Sequence, residues 1–198
     1  MSRLDGAFDG QLFEGILEPP KTRVDDAVFE GCLFRKAQLA ELQFVDCRFI
    51  DCRFEACDLR MVKLTDSVLN DAQFHNCSLM GINWTAARGM TFSVRFEGCR
   101  LDYGVFTGMR LHGLQARDCS LREVDFTEAD LSGACFQGSE LTRSVFRSAR
   151  LTKADLTQTR GCFLDDTARC KETQVELDTA LALLESRGLR VPALERGG

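Results

Sequence analysis

Large apolar residues return at every fifth position along most of this 198-residue chain. In residues 44–59, FVDCRFIDCRFEACDL, the residues Phe44, Phe49, Phe54 and Leu59 are each five apart. This period matches neither an α-helix, which repeats at 3.6 residues, nor a flat strand, which repeats at two. The backbone must therefore return each side chain to the same environment every five residues.

The period holds through two runs of repeat centres, the large apolar residues, with one interruption. The first run has twelve centres from Phe29 to Trp84, and the second has thirteen from Phe96 to Leu156, among which only Ala116 is small. The residue two places before each centre is mostly Cys, Ala or Ser, and the other three places are mostly polar. We therefore expect one large and one small side chain per repeat to point inward.

A four-sided coil of twenty residues satisfies this pattern, with each repeat forming one side. Successive coils would then stack about 4.8 Å apart and pair their backbone groups, which makes the chain a solenoid. Residues twenty apart share a column, so Phe34, Phe54 and Phe74 should stack, as should Phe106, Phe126 and Phe146. The predicted fold class is all-β, with a C-terminal α-helix.

Three segments are predicted from where the period begins, slips and fades. Residues 1–26 form an N-terminal cap or an imperfect first coil, residues 27–160 form the repeat, and residues 161–198 form a capping helix and dimerisation tail. Between Trp84 and Phe96 the chain has two residues more than the period allows, which breaks the register at residues 85–95. That segment is either a tolerated surface insertion or a partner-contact loop centred on Arg88 and Met90.

The C-terminal segment KETQVELDTALALLESRG (171–188) predicts a helix. Thr173 and Glu176 have capping-box spacing, and Gly188 suits the position after the last turn. The apolar residues predicted to form a dimer interface are Leu177, Leu181, Leu184, Val191 and Leu194. A simple terminal cap is the alternative to a homodimer.

Charge, composition and motifs argue against several classes of protein. The net charge of −5 argues against a general nucleic-acid binder. No apolar run is long enough to cross a membrane and the N-terminus does not resemble a secretory signal, so we expect a cytoplasmic protein with reduced thiols. The cysteines recur at intervals of five and suit small packing positions rather than a zinc site. His75 and His112 have no evident catalytic partner, so no catalytic residue, metal or cofactor is expected.

Acidic residues twenty apart should stack into rows. The predicted partner-binding acidic residues are Asp46, Asp51, Asp66, Asp71, Asp118, Glu123, Asp125 and Glu128. These rows either serve solubility alone or form a negative ladder that could occupy a basic groove in place of a nucleic-acid duplex. Residues 141–160, with five basic residues against Asp155, do not fit a uniformly acidic DNA mimic.

The stretches VDFTEADLSGACF (124–136) and RSARLTKADLT (147–157) resemble the A(D/N)LxX pattern of pentapeptide-repeat proteins. The resemblance implies a right-handed quadrilateral β-helix. CSLMGINWTAA (77–87) and ALALLESRGLRV (180–191) resemble the topoisomerase-protecting branch of that family: the Qnr proteins, MfpA, and the albicidin- and microcin-resistance immunity proteins.

Membership of that branch implies a non-catalytic homodimer that engages DNA gyrase or topoisomerase IV. Such a protein protects the enzyme from a quinolone- or albicidin-type poison, either by partial DNA mimicry or by contacts at particular loops and faces. Neither direct nucleic-acid binding nor a membrane partner is expected. The alternative is a general protein-interaction scaffold with an unrelated partner, because fold does not fix function.

Overall fold

A computed structural model describes residues 4–88 and 92–189 of the chain. All the strand pairs in this part are parallel, and each joins a strand to its equivalent one coil away. The chain forms a right-handed quadrilateral β-helix of about eight turns with a C-terminal helix. The predicted fold class is confirmed.

Short strands form the coils, and most have three residues. They are β1 (Ala7–Asp9), β2 (Leu12–Ile16), β3 (Arg23–Asp25), β4 (Val28–Glu30), β5 (Leu33–Gln38), β6 (Gln43–Val45), β7 (Arg48–Ile50), β8 (Arg53–Glu55), β9 (Lys63–Thr65), β10 (Val68–Asn70), β11 (Ala72–His75), β12 (Val94–Glu97), β13 (Gln115–Arg117), β14 (Asp155–Leu156) and β15 (Gln174–Val175). A 3₁₀ turn occupies Trp84–Ala86, and the helix α1 spans Leu177–Ser186.

The four sides of the coil are numbered here in chain order. Face 1 contains β1, β4, β7 and β10, and face 2 contains β2, β5, β8, β11, β12 and β13. Face 3 is held by single bridges such as Gln38 to Asp58, and face 4 contains β3, β6 and β9. Beyond Glu97 single bridges also continue faces 1 and 4, for example Arg110 to Asp130 and Val105 to Asp125.

The predicted centres form the core. All twenty-five of them, from Phe29 to Leu156, are buried. Aromatic rings stack in columns along the axis, with ring centroids 4.6 Å apart between Phe34 and Phe54 and 4.7 Å apart between Phe54 and Phe74. A second column joins Phe106, Phe126 and Phe146 at 5.2 and 5.3 Å. Offset stacking at these separations adds to the free energy gained by burial.

Most of the small inward residues form hydrogen bonds as well as filling space. The Cys77 thiol donates to the Phe54 carbonyl at 3.4 Å, and its sulfur accepts from the backbone N–H of Cys57 at 3.3 Å. Ser139 bonds in the same way to the Ala116 carbonyl at 2.8 Å and the Cys119 N–H at 2.9 Å. All ten cysteines are free thiols, and eight are buried. At Cys77 and Ser139, a small side chain that can both donate and accept therefore satisfies two buried backbone groups.

The register break is absorbed within one coil. Phe54 pairs with Phe74, twenty residues later, but Phe74 pairs with Phe96, twenty-two residues later. The next pair on face 2, from Phe96 to Ala116, returns to a separation of twenty. The two extra residues therefore leave the columns aligned on both sides.

The predicted start of the C-terminal helix is wrong. Residues 174 and 175 form β15 instead, which pairs with β14, and α1 begins only at Leu177. The Thr173 hydroxyl donates to the Leu151 carbonyl at 2.6 Å, and the Glu176 carboxylate accepts from the Gln158 N–H at 2.6 Å. Pairing with the last coil thus takes the groups that a capping box would have used.

The predicted end of the helix is confirmed. Gly188 has a φ of 74°, and its N–H donates to the Glu185 carbonyl at 2.9 Å. The N–H of Leu189 reaches back to the Leu184 carbonyl at 3.0 Å. These two bonds are those of a Schellman C-cap, which favours glycine because of the left-handed backbone.

Candidate functional site

The first half of face 1 carries an unusual excess of carboxylates. Within its strands and bordering corners, the acidic residues Asp9, Asp26, Glu30, Asp46, Asp51, Asp66 and Asp71 stand against a single base, Arg48. We call these seven residues the acidic surface. It includes the four earliest of the eight predicted partner-binding residues, and the structure adds Asp9, Asp26 and Glu30.

Corner geometry directs these carboxylates outward. Asp46 and Asp51, which border β7, have φ values of 53° and 50°. Asp tolerates this left-handed conformation better than most residues. The N–H of Asp46 donates to the Thr65 carbonyl at 3.0 Å, so the ladder fixes the backbone while the exposed carboxylate remains free to contact a partner.

The 85–95 segment is tied to the acidic surface. Arg88 Nε lies 2.6 Å from the Asp66 carboxylate, and the Ser93 hydroxyl donates to Asp71 at 2.7 Å. Two predicted site residues, Arg88 and Asp66, therefore pair with each other. Met90, the other residue predicted for loop contact, lies outside the described residues.

The remaining four predicted acidic residues follow one another around a single coil rather than along a row. Asp118 and Glu123 occupy successive corners, Asp125 lies on face 4, and Glu128 lies at the corner before face 1. Glu123 is 3.5 Å from Arg143. These residues therefore do not extend the acidic surface.

Hydrogen bonds hold Asp125 in its ionised form. Burial alone would raise its pKa, but the Thr127 hydroxyl and N–H and the Thr107 hydroxyl donate to the carboxylate and lower the pKa overall. Asp125 therefore stabilises a corner.

The second half of face 1 is basic, which the sequence analysis placed only loosely in residues 141–160. We call the exposed residues Arg110, His112, Arg150, Lys153, Arg169 and Lys171 the basic surface. Arg110, Arg150 and Arg169 share one column with Asp130, which lies 3.1 Å from His112 and 3.8 Å from Arg150. The separation of forty residues between Arg110 and Arg150 was the available signal, since it equals two coils.

Charges on face 2 are arranged differently, because they neutralise one another along a column. Arg35 lies 3.8 Å from Glu14 in the preceding coil and 3.4 Å from Glu55 in the next. His75 lies 3.3 Å from Glu97 in the same column. By contrast, Asp46 and Asp51 have no ion pair within 4.0 Å among the described residues. The carboxylates of Asp46 and Asp51 are therefore not balanced by a neighbouring base, unlike the charges in this column of face 2.

An apolar surface covers the C-terminal end. Leu177 is 59% exposed and Leu189 is 54% exposed, and Phe163, in the segment before the helix, is 55% exposed. Leu181 and Leu184 are half-buried, while the helix contacts the core through Leu183. Of the five residues predicted for a dimer interface, three thus leave apolar area uncovered, and Val191 and Leu194 lie outside the described residues.

Two absences hold for the described part of the chain. Residues 4–88 and 92–189 contain no group of three or more His, Cys, Asp or Glu side chains arranged to bind a metal ion. Within the same ranges, no helix has the length and apolar character needed to span a membrane.

A chain that winds short parallel strands into stacked coils belongs to the class of solenoid repeat proteins. Two family models match this chain: a pentapeptide repeat region at residues 27–106 and pentapeptide repeats (8 copies) at residues 125–160. The chain belongs to the pentapeptide-repeat family.

Solved structures show the same fold. Two trypsin-treated forms of QnrB1, a plasmid-mediated fluoroquinolone resistance protein, superimpose on this chain with TM-scores of 0.59 and 0.57. The first is 22% identical and covers 94% of this chain and 99% of its own. The second is 21% identical and covers 95% and 100%. At the level of sequence alone, no curated protein matches the chain.

Proposed function

We propose that this protein is a non-catalytic binding protein that engages DNA gyrase or topoisomerase IV and protects it from a topoisomerase poison. The observation that carries the proposal is the acidic surface, where rigid corners hold Asp46 and Asp51 exposed and without an ion pair among the described residues. QnrB1, whose fold this chain shares over nearly its whole length, is a fluoroquinolone resistance protein. A quinolone-type poison is therefore the first to test.

The acidic surface fits a partner that normally binds a polyanion. Its corner columns repeat once per coil, or about every 4.8 Å, on a backbone fixed by ladder hydrogen bonds. A type II topoisomerase presents a basic groove to DNA, whose duplex carries one negative charge per roughly 1.7 Å. The acidic surface would occupy part of that groove, and the basic half of face 1 would lie outside it. The mimicry is thus confined to the first half of the rod.

We also propose that two copies associate through the C-terminal apolar surface. Leu177, Leu189 and Phe163 are each more than half exposed at one end of the rod. Covering them with the same surface of a second copy removes apolar area from water and creates a closed two-fold dimer. A terminal cap alone would leave this area in solvent.

A gyrase supercoiling assay with and without a fluoroquinolone tests the protective function. The chain should restore supercoiling, and the variant Asp46→Asn/Asp51→Asn/Asp71→Asn should lose that ability. Asn suits these corners because it adopts left-handed backbone readily. The matched control is Glu14→Gln/Glu55→Gln/Glu97→Gln, which removes the same charge from face 2 and should protect like the parent.

Two outcomes would contradict the proposal. If the parent neither binds gyrase or topoisomerase IV nor rescues supercoiling, the chain is a scaffold for some other partner. If the face 2 variant loses protection as fully as the face 1 variant, total charge rather than the acidic surface is responsible. Sedimentation of Leu177→Glu tests the dimer separately, because that variant should be shifted toward the 22.2 kDa monomer.

A further inference from the structure

Four buried cysteines stack one above another inside the solenoid. They occupy the small inward position of face 3 in four successive coils, and they are Cys57, Cys77, Cys99 and Cys119. We call these four residues the thiol row. Each is a free thiol and is at most 3% exposed.

Neighbouring sulfurs of the row are separated by the rise of one coil. Cys57 Sγ lies 3.2 Å from the Phe34 carbonyl oxygen, and Cys77 Sγ lies 3.4 Å from that of Phe54, twenty residues later. The ring centroids of Phe34 and Phe54 are 4.6 Å apart. Because each sulfur occupies the same place in its own coil, two successive sulfurs are also about one strand spacing apart, or roughly 4.8 Å.

The stacking persists across the register break. The N–H of Cys57 donates to Cys77 Sγ at 3.3 Å, and the N–H of Cys77 donates to Cys99 Sγ at 3.4 Å. Beyond Cys119 the column continues with Ser139, whose hydroxyl accepts from the Cys119 N–H at 2.9 Å. Serine therefore fits this column as well as cysteine does.

We propose that neighbouring thiols of the row bind a soft metal ion that takes two thiolate ligands in a line, and that Hg²⁺ is the ion that fits best. An ion midway between two sulfurs would lie about 2.4 Å from each, close to the roughly 2.3 Å of a zinc–thiolate bond. Soft ions select sulfur ligands. Zn²⁺ does not fit, because structural zinc takes four ligands and each position in the row offers two sulfurs.

Charge selects among the soft ions. Hg²⁺ forms two Hg–S bonds as two S–H bonds break, both protons pass to solvent, and no atom changes oxidation state. The product is neutral and suits an apolar core, whereas Cu⁺ or Ag⁺ with two thiolates would leave one buried negative charge. Two carbonyls lose a thiol donor, a small cost beside the free energy of a metal–thiolate site.

The row has room for two ions, one between Cys57 and Cys77 and one between Cys99 and Cys119. Because these sulfurs are enclosed, an ion must enter through local opening of the coils. Loading of the folded protein should therefore be slow. It should become faster in urea below the unfolding transition, with the same final content of metal.

The test measures the Hg²⁺ that each chain retains after dialysis against an excess of a monothiol. A monothiol removes ions held by one protein sulfur, but a stacked pair holds its ion through two. The starting protein is Cys162→Ser/Cys170→Ser, which lacks the two half-buried cysteines of the C-terminal end. Cys32 and Cys52, which stack in another column, should hold one further ion in every variant.

Two double variants of this protein remove the same number of thiols. Cys77→Ser/Cys99→Ser leaves Cys57 and Cys119 three coils apart, so it should lose both ions of the row. Cys57→Ser/Cys119→Ser leaves a neighbouring pair and should lose only one. The fluorescence of Trp84, the single tryptophan, verifies folding before metal is added.

Single variants provide the matched control. Cys77→Ser should lose one ion, because Cys99 and Cys119 still form a pair. Cys47→Ser should lose none, because this buried thiol has Ala27 and Ser67 as its column neighbours.

Three results would each overturn the proposal. The first is a starting protein that retains no Hg²⁺ after dialysis, and the second is an equal loss of metal in the two double variants. The third is retention of Zn²⁺ as complete as that of Hg²⁺. The inference does not depend on the proposed function, since no topoisomerase takes part in the test.

Discussion

In the coils before Phe96, many corners are open, whereas in the coils after Leu101 most are closed. At a closed corner the N–H three residues after a centre donates to that centre's carbonyl, as Ala129 does to Phe126 at 3.0 Å. At an open corner a thiol from the next coil donates to that carbonyl instead, as Cys52 does to Phe29 at 3.3 Å. The two halves thus satisfy the same buried acceptor in different ways.

The type of residue found two places before a centre depends on whether the adjacent corner of the preceding coil is open or closed. Closed corners need no side-chain donor, and Ala129, Ala134, Ala149 and Ala154 occupy that place in the second half. Where the second half has open corners, after Ala116 and Leu121, Ser139 and Ser144 donate to the two carbonyls. The cysteines of the first half therefore supply hydrogen-bond donors that are small enough for the narrow interior. Burial raises the pKa of Cys52 to about 12, which keeps its thiol protonated.

The largest expected effect on stability comes from substitutions in the aromatic core, which both halves share. Phe54→Asp and Phe126→Asp each place an unpaired charge in a closely packed column and remove a buried ring. Each should destabilise the fold by more than about 4 kcal/mol, measured by urea unfolding followed through Trp84 fluorescence.

The control for both is Met61→Asp, at a corner with a φ of 56° where Met61 is 58% exposed. It should change stability by less than about 0.5 kcal/mol. Equal effects at Phe54 and Phe126 would show that one core serves both halves, while a stable Phe126→Asp would refute the inward assignment of the centres.

The boundary between the halves depends on Gly104. Its N–H closes the corner after Leu101 at 3.0 Å, and an added Cβ would lie 2.9 Å from the Leu101 carbonyl oxygen and 3.4 Å from the Phe106 ring. Gly104→Ala should therefore cost about 1–3 kcal/mol through overpacking, measured by urea unfolding. Gly108→Ala, where a Cβ would meet nothing within 4 Å, is the comparison, although its φ of 68° carries a smaller backbone cost. A neutral Gly104→Ala would mean that this corner can relax.

A smaller effect separates open from closed corners directly. Cys77→Ala leaves the Phe54 carbonyl and the Cys57 N–H without their partners and should cost about 1–3 kcal/mol. Cys77→Ser retains both hydrogen bonds and should cost less. Cys135→Ala is the matched control, because this buried thiol forms no hydrogen bond among the described residues and its loss removes only volume. If Cys77→Ala and Cys135→Ala unfold at the same urea concentration, hydrogen bonding does not explain the cysteines.

The smallest effect is the response to acid. Hydrogen bonds outweigh burial and lower the pKa of Asp125, Asp130 and Asp165, which all lie in the second half. A lowered folded pKa contributes stability that is complete above the ordinary value near 4 and is lost as the pH falls through the folded value. Hydrogen exchange between about pH 5 and pH 3 should therefore show the corners of these residues loosening. Asp130→Asn should reduce the pH dependence of hydrogen exchange at its corner. If exchange in the variant depends on pH as it does in the parent, the ionised Asp130 does not stabilise that corner.

The period alone was sufficient to predict the inward residues, because a hydrocarbon at every fifth place admits few backbones. Even the weak centre Ala116 is fully buried. The acidic surface could be predicted only in part. Asp26 lies twenty residues before Asp46 and so belongs to the column of Asp46 and Asp66, but it falls in residues 1–26, which were predicted to be a cap or an imperfect first coil. The pairing of Arg88 with Asp66 could not be predicted, since the insertion interrupts the column arithmetic at that coil. The helix start was missed because Thr173 and Glu176 satisfy a capping pattern locally while the last coil competes for them.

The alignment of columns across residues 85–95 has a consequence for how such a molecule changes length. Gaining or losing one complete turn between the two charged halves would move them apart or together by a single strand spacing, without rotating either about the axis. The length of the solenoid can therefore change in steps of one whole turn. Duplication of a segment of one turn could therefore change the distance between the two charged halves, while every side chain on both sides keeps its direction.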